Sequence, residues 1–311
     1  MNVSMVDSAL PRFAALVDDY LLIWVLLSVS IGLIVPSIAV LTPLSTLILA
    51  VMIGSVSLTL APERFQKLRG RVLVTILIVQ TGMPLLAFGI AHALGLSPAL
   101  TAGFVVLGAV TPELVTPTMT ELSGGDTVLA TVVLIVVGFG TLVLVPGVVT
   151  LLLGASIAVD PVLIVQQLFL AVVLPMSLAV AVRSRWPDHI GVYDEIYPSV
   201  AGLMVILIIG IVTAANASLV RDSGDVLVSV VVGALVLNSG GYIAGWFISR
   251  NFTRGERIAS TLSVGMRDFA VAAALLVGAS FPTSATLPAV VFGIVEMTTS
   301  AGLAKWFRRQ A

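Results

Sequence analysis

Four ionisable side chains, Glu113, Arg267, Asp268 and Glu296, stand in stretches of sequence that are otherwise almost wholly apolar. A charged group at the middle of a bilayer costs about 2.5–3.5 kcal/mol on insertion scales, so each such group needs a partner or a function. Around Glu113 the chain reads LGAVTPELVTPTMTELSGGD, Leu107 to Asp126, with Pro112 and Pro117 close together among Thr111, Thr116, Thr118 and Thr120. Each proline removes a helical donor and crowds the preceding turn. Thr116 followed by Pro117 reads as an N-cap and a first helical residue, as if a second half-helix began there. Such a start turns free N–H groups and a partial positive charge into the protein, which suits an anionic ligand. The plainer alternative is a proline kink whose threonines bond back to carbonyls. Glu121 and Asp126 flank the following hairpin and read as solvated there.

The second unusual stretch is TLSVGMRDFAVAAALL, Thr261 to Leu276, where Gly265 loosens the helix beside Arg267 and Asp268. Neighbouring residues point about 100° apart on a regular helix, so a direct pair between these two requires unwinding. Either they form a structural ion pair, completed by Glu113 or Glu296, or they hold a ligand. Both roles can coexist. Glu296, in FGIVEMTTS, has no interface within reach. Asn238 lies in LNSGGY, whose glycines suit close helix packing more than ligand contact. Gln80, before Pro84, can reach the same centre or simply bridge two helices.

The elements that position these residues follow from composition. The chain has 311 residues, 59% hydrophobic and 10% charged, with a mean hydropathy of +1.16. A soluble domain carries roughly 25% charged residues, so the solvent of this chain is the lipid bilayer. The net charge of −1 provides no electrostatic case for nucleic acid. There are no cysteines, which removes disulfides and thiolate chemistry. Residues 1–20 hold Asp7, Asp18 and Asp19 and read as a short cytoplasmic or interfacial segment, not a cleaved signal.

A spanning helix needs about 20 apolar residues. Cutting at polar, glycine and proline clusters predicts ten spans: 21–40, 42–60, 71–93, 97–121, 125–153, 161–183, 198–217, 225–250, 257–280 and 285–306. Thirteen of the fifteen Lys and Arg then share one side: Arg12; Arg64, Lys67, Arg69 and Arg71; Arg183 and Arg185; Arg250, Arg254 and Arg257; Lys305, Arg308 and Arg309. Arg221 alone lies opposite, and Arg267 is inside a span. That asymmetry predicts both termini on the cytoplasmic side of the cell membrane. Spans 1 and 6 share a proline at similar depth, in IVPSIAV and VLPMSLAV, and spans 4 and 9 both carry buried charges. The pattern predicts two inverted five-helix repeats, 21–153 and 161–306, the plan of many secondary transporters.

Several segments, in order, resemble the bile acid:sodium symporter family. They are SLTLAPERF (Ser57 to Phe65), IVQTGMP (Ile78 to Pro84), TPTMTELSGGDTVLAT (Thr116 to Thr131), LNSGGYIAGWF (Leu237 to Phe247) and SVGMRDFAVAAALL (Ser263 to Leu276). The resemblance runs from about Leu21 to Trp306. It implies an all-α membrane protein with spans 4 and 9 broken and crossing. Spans 3–5 and 8–10 would form a core, and spans 1, 2, 6 and 7 a panel that moves against it to carry an organic anion with sodium. The sodium ligands depart from that pattern. The family's Ser-Asn pair falls on Thr116 and Pro117, and its span 5 ligands fall near Ala130 and Leu134, which carry no side-chain oxygen. A shared glutamate falls on Ser263, a glutamine of the second site on Arg267, and a span 3 glutamine beside Gln80. Sodium is therefore not expected to be well bound, and no other metal or cofactor is implied. Arg267 is expected to act as a built-in cation in sodium's place. The family's asparagine beside the substrate falls on Asp268, and a span 10 His-Asn pair near Glu296 and Met297.

The expectation is thus a sodium-independent secondary transporter of a small organic anion, driven by protons or running as a uniport. Its expected substrate-binding residues are Glu113, Thr116, Thr118, Asn238, Arg267, Asp268 and Glu296. Gln80, Thr116, Ser263, Arg267 and Asp268 stand where coupling ions or their replacement would act. A cationic solute is a variant, since three acids surround one arginine. The alternatives are a non-transporting receptor or scaffold of the same fold, and a sodium-coupled symporter. A related arsenite-efflux family relies on a cysteine that this chain lacks. No His-Glu zinc motif and no Ser-His arrangement within a span points to an enzyme, and nothing in the sequence sets an oligomeric state.

Overall fold

The structure, a computed structural model, describes residues 16–17, 20–59, 70–154, 156–157, 159–222 and 224–310. Most of the N-terminal segment expected over 1–20, and the basic loop with Arg64, Lys67 and Arg69, lie outside the described residues. All regular structure among the described residues is helical. Besides the short helices Pro187–Gly191 and Ala217–Asp222, the helices are α1 (Leu21–Ile34), α2 (Ser45–Ser57), α3 (Gly70–Ala93), α4 (Pro98–Ala109), α5 (Thr116–Leu122), α6 (Thr127–Leu153), α7 (Pro161–Arg185), α8 (Tyr197–Ala215), α9 (Gly224–Ile248), α10 (Arg254–Gly265), α11 (Phe269–Gly278) and α12 (Leu287–Arg309). Eight described segments are long and apolar enough to cross a membrane: Pro36–Ser57, α3, α6, α7, α8, α9, Arg254–Gly278 and Thr283–Arg309. α1 and α4 are apolar but shorter, so the ten expected spans map onto eight full-length segments and two short ones.

Most boundaries lie within a few residues of their expected places, because caps and prolines mark them. Asp126 caps α6 by accepting from the Leu129 amide at 2.9 Å, a role its reading as a merely solvated acid overlooked. The first two spans differ more. α1 ends at Ile34, and Pro36–Leu44 winds as a 3-10 helix before α2, with Pro36 at its start and Pro43 inside it. Prolines lack the donor an α-helix needs, and the tighter winding absorbs them away from the expected break at residue 41. α7 carries a matching irregularity, a π turn over Phe169–Val173 just before Pro175.

The helices pack in two groups. α1 and α2 lie against α8, and α2 also against α7; α3 packs on α4 and α9, and α9 packs on α10 and α12. Small residues set the closest approaches, since lipid supplies no hydrophobic drive between helices and backbone proximity must do so. A Cβ on Gly241 would stand 2.7 Å from the Gly265 Cα, and one on Gly245 would stand 2.6 Å from the Ser260 carbonyl. The LNSGGY stretch therefore serves packing, as its glycines indicated. The Arg254–Gly278 segment is almost wholly enclosed by other helices, whereas Pro36–Ser57 shows most of its surface outward.

Replacing Gly245 with valine forces α9 off α10 and is expected to cost at least about 1–3 kcal/mol. In detergent this should appear as a clear fall in Tm, while Gly140→Val, at a glycine with open space around it, leaves Tm unchanged.

Candidate functional site

Two interrupted helices build the site. α4 starts on Ser97, which accepts from the Leu100 amide, and ends at Ala109. Pro112 supplies no N–H and pushes Thr111 away from helical backbone, so residues 110–115 stay irregular until α5 begins. α10 starts with a capping box between Thr253 and Glu256 and ends at Gly265; Met266 is extended (φ −82°, ψ 134°). α11 then begins on Asp268, whose Oδ1 accepts from the Val271 amide at 2.8 Å.

The two breaks bond to each other. The Asp268 amide donates to the Thr111 carbonyl at 3.0 Å. The Arg267 guanidinium donates from Nη1 to the Val110 carbonyl at 3.2 Å, at the C-terminal end of α4. A cation there complements the helix dipole by about 0.3–1 kcal/mol, more when buried, and a charged donor adds about 1.5–3 kcal/mol. The chain unwinds at this point, as a direct Arg267–Asp268 contact would require, yet the pair does not form. Arg267 makes no ion pair among the described residues, and its Nε and Nη2 have no hydrogen-bond partner. Carbonyls close this break where an acid was expected to.

The remaining expected residues divide into two sets. Gln80 donates to the Ser263 carbonyl at 2.7 Å, and Asn238 donates to the Gly265 carbonyl at 3.1 Å while accepting from Thr299 at 2.7 Å. These are structural bonds that hold α3 and α9 on the end of α10. Thr116 is buried with its hydroxyl 3.8 Å from the Met266 sulfur. α5 begins at Thr116 itself, so Thr116 is a helical residue and not the cap, and the helix has only 7 residues. Its first amides are already spent, since the Thr116 N–H donates to the Glu113 carbonyl and Pro117 has none. The anion-attracting start expected there is therefore weak.

Glu113, Thr118 and Glu296 belong to the second set: they line a cavity of about 960 Å³ between the two helix groups. Its inner end is formed by Glu113, Leu114, Phe269, Glu296 and Met297, and it runs to Thr59, Glu121, Arg183, Asp194 and Glu195, near the loops. Glu113 is 5% exposed and Glu296 1%. One carboxylate oxygen of Glu113 and both of Glu296 lack hydrogen-bond partners among the described residues. The Glu113 carboxylate faces the amides of Leu114 and Phe269 and stands near Asp268 and Glu296. Arg267, Asp268, Asn238, Gln80, Ser263 and Thr116 do not line this space.

Crossed broken helices beside a cavity between two helix groups are a transporter's architecture, and a family model agrees: the Sodium Bile acid symporter family matches residues 46–223, more than half the chain. The chain belongs to the sodium bile acid symporter family. It is a multi-pass membrane protein of a transporter family. It is 24% identical over 294 residues, 93% of this chain and 90% of the relative, to "Uncharacterized sodium-dependent transporter YocS" of Bacillus subtilis (strain 168). Two rice proteins (Oryza sativa subsp. japonica), each 26% identical, are "Probable sodium/metabolite cotransporter BASS3, chloroplastic" over 225 residues and "BASS1, chloroplastic" over 190 residues. The matches cover 70% and 60% of this chain but only 53% and 46% of those relatives.

Within this bile acid symporter fold, sequence reasoning missed the carbonyls of Val110 and Thr111, because a backbone acceptor leaves no trace in residue type. It also missed Tyr242, which lies beside Glu296, and the bidentate Arg183–Asp194 pair (2.5 and 2.9 Å) near the cavity mouth. Tyr242 and Glu296 lie on helices that become neighbours only on folding, and Asp194 returns to Arg183 through a turn 11 positions on.

Asp268→Ala removes the α11 cap and is expected to cost about 0.5–2 kcal/mol. Asp268→Asn keeps an acceptor for the Val271 amide and should retain most of that stability. Thermal unfolding in detergent distinguishes them, and equal losses would show that the charge matters more than the cap.

Proposed function

We propose that this chain is a secondary transporter that moves a small organic metabolite by alternating access and needs no sodium. The observation that carries the reading is the placement of Arg267. Its guanidinium lies at the crossing of the two breaks, bonded to the Val110 carbonyl, where the family resemblance puts a sodium ligand. A sodium ion does not fit the surrounding donors. Pro117, Ala130 and Leu134 bring no side-chain oxygen. Thr116 turns its hydroxyl to Met266, and Gln80 spends its amide N–H on the Ser263 carbonyl. Of the free oxygens left nearby, on Gln80, Ser263 and Asp268, only that of Asp268 brings charge, and one carboxylate beside a fixed guanidinium leaves no net attraction for sodium. A tethered cation then organises the crossing permanently, and the energy for uphill transport comes from protons or from the solute's own gradient.

The group of α1, α2, α7 and α8 rocks against the crossing, and the cavity is the solute site in its arrangement facing the basic loops. The anionic solute expected from Arg267 and the start of α5 finds neither feature offering positive charge to the cavity. A sodium-coupled symporter is the second reading, favoured by the names of the relatives.

Two measurements test the driving ion. In NaCl and KCl of equal strength the wild-type Tm should be the same, since a specifically bound ion stabilises the state it binds. Arg267→Gln, which removes the built-in charge, should become the more sodium-responsive form. In proteoliposomes, uptake from a labelled panel of organic acids and amines should respond to a proton or solute gradient. Stimulation by sodium alone would sink the reading.

A further inference from the structure

We propose that the cavity binds a small organic cation, a protonated amine or alkylammonium with an apolar tail, using Glu113 and Glu296 as counter-charges. This rests on the transporter reading only in taking the cavity as the solute site.

The charge balance of the wall is the first argument. Five carboxylates line the cavity, Glu113, Glu121, Asp194, Glu195 and Glu296, against one basic side chain among the described residues, Arg183. Arg183 is already held by Asp194. At the inner end no basic side chain among the described residues awaits an anion, whereas a cation relieves the repulsion between two neighbouring acids.

The unsatisfied atoms supply the second. Glu113 and Glu296 are both more than nine-tenths buried in the cavity wall, and three of their four carboxylate oxygens lack a hydrogen-bond partner among the described residues. A buried carboxyl left without a partner takes up either a proton or a cation that arrives from outside. The Leu114 and Phe269 amides face Glu113, but no basic side chain among the described residues pairs with either acid. Arg267 is outside the wall and turned to Val110. The Val271 amide of α11 is taken by Asp268.

The rest of the wall narrows the ligand. Met52, Leu114, Met119 and Met297 offer adaptable apolar surface for a tail, and about 960 Å³ suits a molecule of modest size. A bare metal ion is disfavoured, because no three acidic or imidazole side chains among the described residues are grouped to hold one. The two glutamates accept either the ammonium or a proton, so binding an ammonium releases protons from whichever carboxyls carried them. The other groups facing them are Asp268, beside both, and Tyr242, beside Glu296. Glu121, Glu195 and the Arg183–Asp194 pair face them from the mouth.

The test is thermal stabilisation of the purified full chain in detergent, titrated with hexyltrimethylammonium and hexylammonium against hexanoate and hexanesulfonate at constant ionic strength. The ammonium probes should give saturable shifts and the anions none. Losing a charge-assisted contact is worth about tenfold or more in affinity, so Glu113→Gln and Glu296→Gln should each weaken the ammonium response by at least that factor. Wild-type affinity should also fall about tenfold between pH 8 and pH 5 as protons compete, which tests the proposal even where a variant fails to fold. Stabilisation by the anions, an equal shift from NaCl, or an affinity indifferent to both substitutions or to pH would overturn it. Ammonium binding without flux in vesicles would sink the transport reading and leave this one standing. Flux of anions with no ammonium binding would do the reverse.

Discussion

A helix that stops inside a bilayer leaves amides and carbonyls that lipid cannot solvate, at several kcal/mol for each group left bare. This chain has two such places, at residues 110–115 and 266–268, and each repairs the other. The Asp268 amide takes the Thr111 carbonyl, the Arg267 guanidinium takes the Val110 carbonyl, and the Asp268 carboxylate takes the Val271 amide in the first turn of α11. α4, with 12 residues, reaches about 18 Å, so neither half of a broken span crosses the membrane alone. The crossing exists because each half-helix needs the other break.

The surrounding helices serve that constraint. α9 closes on α10 through Gly241 and Gly245, which brings Asn238 onto the Gly265 carbonyl, and α3 places Gln80 on the Ser263 carbonyl. The crossing is thus clamped on its α3 and α9 side. Beside the crossing the helices leave a cavity, and Glu113 and Glu296 stand in its wall. Arg267 is thereby kept out of the wall that holds the two glutamates. The arginine is buried in the clamp and the acids border the open space, which is what makes a fixed cation and a displaceable one compatible in the proposed mechanism.

The membrane character was legible in the sequence because it is a bulk property: 10% charged residues cannot cover a soluble surface. The breaks were legible at Pro112, Pro117 and Gly265, since proline and glycine act on the backbone locally whatever surrounds them. The burial of Arg267, Asp268, Glu113 and Glu296 also followed from their apolar neighbours in the chain. The start of α5 was misplaced by one residue, because Thr-Pro marks a helix start but does not say which residue turns first. The Pro36–Leu44 turn was missed, since an apolar segment containing two prolines reads equally well as two spans meeting at a different point.

Local chemistry and composition therefore determined the solvent, the approximate spans, the two interruptions and the set of charges that had to be buried. Only the tertiary structure decided which side each charge faces. Residue type says that Arg267 must find oxygen, but not that the oxygen is the Val110 carbonyl, more than 150 positions away. It says that Glu113 and Glu296 must be compensated, but not that they share a cavity wall from which Arg267 is absent. Burial is a demand that each side chain makes alone. Pairing depends on which distant backbone arrives beside it, and that is settled only when the helices pack.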